Sequence, residues 1–160
     1  MANAQAMVSS FKKEILCGSH ALGAQAANAT RTVTTVDVLK AALYTAAASP
    51  AITAATTAYS ATGEVTNGSG TGYTATGATV TNGTAPSNST TKSIWTPDGS
   101  LVWTAFTSAA AFDCVLIYNS SSTGKLAISS HTFGSQSITA GTFTLTMPAN
   151  ADGTALVQIS

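Results

Sequence analysis

Residues 112–118 read FDCVLIY, the most apolar run of the chain, and residues 119–124 (NSSSTG) follow it as a string of turn-forming residues. A short apolar run that ends in turn residues predicts a buried strand. Residues 125–133 are expected to return beside it as its antiparallel partner. In residues 143–147 (FTLTM) the apolar side chains alternate with threonine, which is the period-two pattern of a half-buried strand.

The pattern is that of β structure from Thr32 onward. Residues 36–45 (VDVLKAALYT) predict a first central strand, and short strands are expected at residues 78–81 and 156–159. Six to eight short strands with turn signals every eight to twelve residues are typical of all-β domains. The sequence therefore predicts a mainly β fold, either an antiparallel β-sandwich or a small barrel, with an N-terminal amphipathic α-helix.

A turn signal separates the two tryptophans of the chain. Residues 96–100 (TPDGS) lie between one strand that ends in Trp95 and another that contains Trp103. Strands on either side of a Pro-Asp-Gly turn are expected to form a hairpin. Tryptophans at hairpin spacing are more often cross-strand core or interface residues than a platform for sugars.

The N-terminal segment has a helical period. Ala4, Val8, Phe11 and Ile15 are spaced by four, three and four residues, which places them on one stripe of a helix, and Gly18 is suited to end it. This helix either caps the hydrophobic core or serves as an arm that docks on a neighbouring subunit. We accordingly divide the chain into an N-terminal helical arm, residues 1–20, and a single β-sandwich domain, residues 21–160.

Residues 59–77 (YSATGEVTNGSGTGYTATG) contain five glycines and two tyrosines, and Glu64 is their one acidic side chain. Such a segment forms neither a stable helix nor a plain strand. We expect a folded loop whose glycines adopt backbone angles that are forbidden to other residues, and which brings Tyr59 and Tyr73 together. A phosphate-binding role is disfavoured because the segment lacks the Lys-Ser/Thr end of a Walker sequence.

The composition is unusual in its lack of charge. Of the 160 residues, 44% are hydrophobic and 8% are charged, with a formal net charge of zero, whereas soluble domains carry about 25% charged residues. A neutral chain without a basic stripe is a poor ligand for nucleic acid, and no apolar run is long enough for a membrane span. Threonine and serine cost less to desolvate than charged side chains, which favours a subunit within an assembly.

The residues that could carry chemistry are few. Cys17 and Cys114 are expected to be buried free thiols, with a disulfide as the alternative. His20 and His131 have no partner at metal-ligand spacing, so no metal or cofactor site is predicted. A triad of a serine, a histidine and Asp113 is disfavoured because no nucleophile elbow is present. The sequence predicts no catalytic residues and no enzyme.

Five segments of the chain resemble a family of small structural proteins of tailed-bacteriophage virions. They are residues 10–20 (SFKKEILCGSH), 37–45 (DVLKAALYT), 59–77, 115–119 (VLIYN) and 143–160 (FTLTMPANADGTALVQIS). The resemblance implies a virion component without enzymatic activity that is synthesised in the host cytoplasm. Its implied partners are the major capsid protein or other virion proteins, within a homo-oligomer or a lattice-bound multimer.

Three functions are open at this point. The first is a head decoration (cement) protein that stabilises the capsid by binding across its subunits. The second is a tail or neck component, and the third is a surface carbohydrate-binding module that uses Trp95, Trp103 and Tyr118. The side chains expected at a protein interface are Val8, Phe11, Ile15, Tyr59, Glu64, Tyr73, Trp95 and Trp103.

Overall fold

The computed structural model describes residues 2–23, 35–68 and 72–160. The fold is mainly β, with antiparallel sheets and one short N-terminal helix, as the sequence predicted. Within the described residues no closed barrel is found. The predicted start of the β pattern at Thr32 and residues 69–71 of the glycine-rich loop lie outside the described residues.

The structure has one helix and ten strands within its described residues. In chain order they are β1 (Ala6–Met7), α1 (Ser9–Leu16), β2 (Leu39–Thr45), β3 (Ala78–Val80), β4 (Ser87–Asn88), β5 (Ser93–Trp95), β6 (Leu101–Phe106), β7 (Phe112–Asn119), β8 (Ala127–Gln136), β9 (Gly141–Leu145) and β10 (Val157–Ile159).

The largest sheet has the strand order β1-β8-β7-β2-β3, and all its pairs are antiparallel. β7 is the predicted apolar strand, and β8 is its predicted partner. The turn between them is closed by Asn119, whose side-chain oxygen accepts hydrogen bonds from the N–H groups of Ser121 and Ser122. β2 and β7 are buried over most of their length because both faces of these central strands are covered.

Two smaller sheets complete the fold, a three-stranded sheet in the order β10-β5-β4 and the two-stranded ribbon β6-β9. Aromatic side chains join the ribbon to the large sheet. Phe143 on β9 stacks on Trp103 of β6 at 5.7 Å between ring centres, and meets Phe112 of β7 edge-on at 5.0 Å. Edge-to-face and offset contacts of this kind add to the free energy gained from burial. β9 spans Gly141–Leu145 rather than residues 143–147, and its residues alternate between partly buried and exposed, which confirms the predicted alternation over this range.

The N-terminal segment packs into the same core. The side chains of Val8 and Phe11 are fully buried, and β1 pairs with β8. The helix begins at Ser9, so its predicted start at Ala4 is wrong, because residues just before it pair with the sheet instead. Its end is as predicted: Gly18 has a φ of 68° and donates to the carbonyl of Ile15, the arrangement that satisfies the last carbonyls of a helix.

The predicted hairpin between Trp95 and Trp103 is wrong. β5 pairs with β4 and β10, whereas β6 pairs with β9, so the turn at residues 96–100 connects two different sheets. Asp98 binds this turn to residues 81–84. Its N–H donates to the carbonyl of Thr81, and its carboxylate accepts hydrogen bonds from the N–H of Gly83 and the hydroxyl of Thr84.

Both cysteines are free, as expected. Cys114 is buried in β7, and burial raises the pKa of its thiol to about 12. The expected burial of Cys17 is wrong, since this residue follows the last turn of α1 and is exposed. Only Cys17 is therefore placed to react with a reagent in solution.

Gly77 directly precedes β3, and its substitution tests how closely the glycine-rich loop, residues 59–77, packs against β2. Its φ is +74°, and a Cβ atom would lie 1.9 Å from the carbonyl oxygen of Ala41. Gly99 has a similar φ of +72°, but nothing lies within 4 Å of its Cβ position. We predict that Gly99→Ala lowers the free energy of unfolding by about 1 kcal/mol through backbone strain, and that Gly77→Ala lowers it by about 2 kcal/mol more through the added clash.

Urea denaturation of the two variants measures this difference. Equal losses would show that strain alone acts at both positions and would contradict the close approach to β2.

Candidate functional site

All four tyrosines of the chain surround one buried carboxylate. Tyr44, Tyr59, Tyr73 and Tyr118 lie around Glu64, which is 8% exposed. We call these five residues the tyrosine–glutamate cluster. Two of the tyrosines and Glu64 come from the glycine-rich loop, residues 59–77, and the other two come from the central strands β2 and β7.

Glu64 accepts three hydrogen bonds. The hydroxyl of Tyr59 donates to Oε2 at 2.6 Å, and the hydroxyl of Tyr73 donates to Oε1 at 2.7 Å. The backbone N–H of Thr76 also donates to Oε1, at 2.8 Å. Hydrogen bonds to an ionised acceptor are short and strong, and they offset the cost of removing the carboxylate from water. The loop thus brings Tyr59 and Tyr73 to the same carboxylate.

The tyrosines of the central strands bind the backbone of the loop. Tyr44 donates to the carbonyl of Ser60 at 2.5 Å, and Tyr118 donates to the carbonyl of Thr76 at 2.8 Å. The ring of Tyr59 stacks on that of Tyr118 at 4.7 Å, and the Nζ atom of Lys125 lies 4.9 Å from the centre of the Tyr59 ring. The cluster therefore fastens both ends of the loop to the large sheet.

Other side-chain and backbone contacts close the loop on itself and on β6. Asn67 spans the loop, since its side-chain oxygen accepts from the N–H of Tyr73 at 3.1 Å and its amide donates to the Tyr73 carbonyl. A Cβ atom on Gly72 would lie 2.4 Å from the Cα atom of Phe106. Gly63 has the positive φ that the sequence predicted, whereas Gly72 is required by this close approach.

The electrostatics of the cluster keep its hydroxyls protonated. Burial raises the pKa values of all four tyrosines, and it is the largest cause in each case. The adjacent carboxylate of Glu64 raises the pKa values of Tyr59 and Tyr73 further. A catalytic acid or base instead has a pKa close to the working pH. The arrangement is suited to holding a loop in place and lacks an activated nucleophile.

Removal of the carboxylate tests this role. We predict that Glu64→Ala lowers the free energy of unfolding by about 2–4 kcal/mol, because three donors lose their acceptor, and that Glu64→Gln loses about 1–2 kcal/mol, because one acceptor oxygen becomes a donor. Asp152→Asn, which breaks an exposed pair with Lys92, is the control and should have a much smaller effect. Equal effects of Glu64→Ala and the control in urea denaturation would show that the carboxylate does not hold the loop.

The raised pKa values also predict how stability depends on alkaline pH. The unfolded chain releases tyrosine protons above about pH 10, while the folded chain retains them at the raised pKa values. Stability is therefore unaffected below this pH and falls above it. Absorbance at 295 nm should rise in one step together with the loss of circular dichroism. Gradual ionisation with a midpoint near pH 10 in a chain that stays folded would contradict the cluster.

Sequence reasoning missed a second polar network, which links α1 to the large sheet. The Nε2 atom of His20 lies 2.9 Å from Oε2 of Glu14, and its Nδ1 atom lies 3.1 Å from the amide of Asn119. The same amide donates to Asp37 at 2.6 Å. Glu14 and His20 are six residues apart, but Asp37 and Asn119 are distant in sequence and show no common spacing with them, so no local signal could have found the whole network. The network fixes the chain that leaves the helix.

The disfavoured triad is not assembled. His131 lies 3.0 Å from the hydroxyl of Ser129, but Ser129 is fully buried and Asp113 is bound by the amide of Asn3 instead. Burial lowers the pKa of His131 to about 4, so the ring is neutral at pH 7. Among residues 2–23, 35–68 and 72–160, no group of three or more His, Cys, Asp or Glu side chains could hold a metal ion.

Six of the eight interface candidates are buried within the chain. Phe11 on α1 and Val8 just before it are fully buried, Glu64 and Tyr73 belong to the tyrosine–glutamate cluster, and Trp95 and Trp103 are 2% and 5% exposed. These side chains stabilise the core and offer no surface to a partner in this conformation. Ile15 and Tyr59 are partly buried and retain some exposed surface.

Among the described residues, the most exposed large apolar side chain is one that the helical stripe did not include. Leu16, at the end of α1, is 89% exposed, and Ile159 on β10 is 41% exposed. Both line a hollow of about 310 Å³ between the helix and the C-terminal strand. We call this hollow the α1–β10 groove, and its lining residues are Met7, Lys12, Ile15, Leu16, Gln158, Ile159 and Ser160.

No family model, curated protein or solved structure matches this chain. Within the described residues, no helix has the length and apolar character needed to cross a membrane.

Proposed function

We propose that the chain is a structural protein of a tailed-bacteriophage virion, and that it decorates the head by binding across capsid subunits. The observation that carries the proposal is the α1–β10 groove, in which Leu16 is 89% exposed, more than any other large apolar side chain of the described residues. An exposed apolar groove of this kind is typical of a protein that docks on another. The resemblance of five segments to phage structural proteins supports the same proposal.

The outer face of the β6-β9 ribbon also suits a subunit of an assembly. Val102 is 54% exposed, and its cross-strand partner Thr144 is exposed beside it, as are Thr104 and Thr142. Hydroxyl and methyl groups on a β ribbon can lie against a neighbour without the cost of desolvating charge. On a capsid such contacts repeat over the lattice, so that a modest interface stabilises the whole shell.

The chemistry of the buried polar groups supports a structural role. The tyrosine–glutamate cluster holds protonated hydroxyls in place, and Ser129, whose hydroxyl lies beside His131, is fully buried. The carbohydrate-binding alternative is disfavoured, because the three aromatic residues on which it depended, Trp95, Trp103 and Tyr118, are buried and cannot stack on a sugar. A tail or neck subunit would have the same features, and the location of the protein in the particle separates it from a decoration protein.

Electron microscopy with gold-labelled antibody on intact virions tests the location, and we expect label over the head. Recombinant chain should also bind heads that lack it, and Leu16→Asp should weaken this binding by about tenfold or more through loss of apolar contact. Val38→Asp is a matched control, since Val38 is 48% exposed and is not among the residues that line the groove.

Label on tails would overturn the decoration role and leave a structural role in the virion. Absence of the chain from virions would overturn both. Equal binding by the two variants would remove the groove from the interface.

A further inference from the structure

The carboxylates of this chain are already engaged within it. Each of the six acidic side chains accepts a hydrogen bond from another group of the chain: Glu14 from His20, Asp37 from the N–H of Ala21, Glu64 from Tyr59, Asp98 from the N–H of Gly83, Asp113 from Asn3 and Asp152 from Lys92. Each side-chain carboxylate thus has a hydrogen-bond donor within the chain, and among the described residues Asp152 is the one that pairs with a lysine.

The positive charges are distributed differently. Lys92 pairs with Asp152 at 2.8 Å, Lys40 donates to the hydroxyl of Thr76 at 2.8 Å, and Lys125 lies over the ring of Tyr59. Lys12 and Lys13 on α1 are exposed, and in the described part of the chain neither side chain makes a hydrogen bond or ion pair. Arg31 lies outside the described residues. Among the described lysines, Lys12 and Lys13 are thus the two whose ammonium groups contact no other polar or aromatic group, and both lie on α1.

These two lysines lie beside the most exposed apolar side chain. Lys12 lines the α1–β10 groove together with Leu16 and Ile159. A second hollow, of about 270 Å³, shares Ile15 and Ile159 with the groove and continues toward Trp95. The groove thus combines apolar side chains with the positive side chain of Lys12, and Lys13 follows Lys12 on the same helix. A complementary ligand therefore needs large apolar side chains with carboxylates next to them.

We propose that the α1–β10 groove binds a segment of a partner protein in which large apolar residues alternate with aspartate or glutamate. The inference rests on the proposed function, which makes the partner a neighbouring virion protein. A second copy of this chain is a poor occupant, because its side-chain carboxylates already accept hydrogen bonds within the chain and would have to share or exchange them to meet Lys12 and Lys13. The charges select the partner, and Leu16 and Ile159 supply the buried apolar area.

The test uses the full chain labelled with ¹⁵N and a synthetic peptide of alternating leucine and aspartate. Millimolar peptide should shift the amide signals of Lys12, Leu16 and Ile159, and the affinity should fall as salt is raised from about 50 to 300 mM. Matched peptides with asparagine or lysine in place of aspartate should bind about tenfold more weakly. Shifts elsewhere, or equal binding of the asparagine peptide, would overturn the proposal.

Two variants separate the charge from the apolar contact. Lys12→Glu combined with Lys13→Glu should reverse the preference so that the lysine peptide binds better, while Lys92→Ala is the control outside the groove. Leu16→Asp should weaken binding of every peptide. Because Leu16 and both lysines are exposed, urea denaturation should show unchanged folding, and a variant that unfolds is replaced by Leu16→Ser.

Cys17 supplies a native reporter at the edge of the groove, because it directly follows Leu16 and is exposed. Bound peptide should slow its reaction with a maleimide, and Cys114 should stay unreactive because it is buried.

Two further outcomes are decisive. Self-association in sedimentation that Leu16→Asp abolishes would assign the groove to a second copy and overturn the proposal. Loss of peptide binding in a chain that is still found on virion heads would overturn the docking inference alone, whereas peptide binding by a chain absent from virions would overturn the proposed function alone.

Discussion

The carboxylate of Glu64 is the constraint on which the arrangement of the loop and the central strands depends. A carboxyl group that is 8% exposed needs hydrogen-bond partners within the protein, and here Tyr59, Tyr73 and the N–H of Thr76 provide them. All three donors belong to the glycine-rich loop, so satisfying the charge also folds the loop. The strands then complete the same structure from the other side, because Tyr44 and Tyr118 bind the loop backbone.

The hydrogen bonds of Glu64 also bring the loop into contact with the β6-β9 ribbon. With the loop fixed over β2 and β7, Tyr73 reaches the aromatic side chains of the ribbon and lies 5.7 Å from Phe106 and 6.2 Å from Trp103 between ring centres. A polar cluster on one side of Tyr73 is thereby joined to an aromatic contact on the other. The hydroxyl is held while the ring is buried, which is how tyrosine combines the two kinds of stabilisation.

Local patterns predicted those parts of the fold that local physics determines. The apolar strand β7, its partner β8, the alternation of β9 and the helix end at Gly18 each follow from spacing and turn residues near them in sequence. The pairing of the strands that contain Trp95 and Trp103 was predicted wrongly. A turn signal specifies that the chain reverses direction, but it does not specify which strand each of the two flanking strands pairs with. Asp98 instead ties the turn to groups that lie 14 to 17 residues earlier in the chain.

In the tyrosine–glutamate cluster, too, contacts within one segment could be predicted from the sequence, whereas contacts between distant segments could not. The meeting of Tyr59 and Tyr73 was predictable because they flank one glycine-rich segment, whereas the other two tyrosines arrive from distant strands. The α1–β10 groove was hidden for the same reason, since Leu16 and Ile159 lie at opposite ends of the chain. Buried interface candidates such as Trp95 show the limit of composition alone: a large aromatic residue suits a core as well as a contact.

The side chain of Asn67, which spans the loop, bears on the durability of the protein. Asn67 and Asn82 are each followed by glycine. An asparagine in this position deamidates when its side-chain amide is free to react with the backbone nitrogen of the next residue. Both amides are fixed here, Asn67 by the backbone of Tyr73 and Asn82 by the N–H of Gly23 and the carbonyl of Asp37. Folding thus keeps both side-chain amides from meeting the nitrogen of the glycine that follows, and should slow their deamidation.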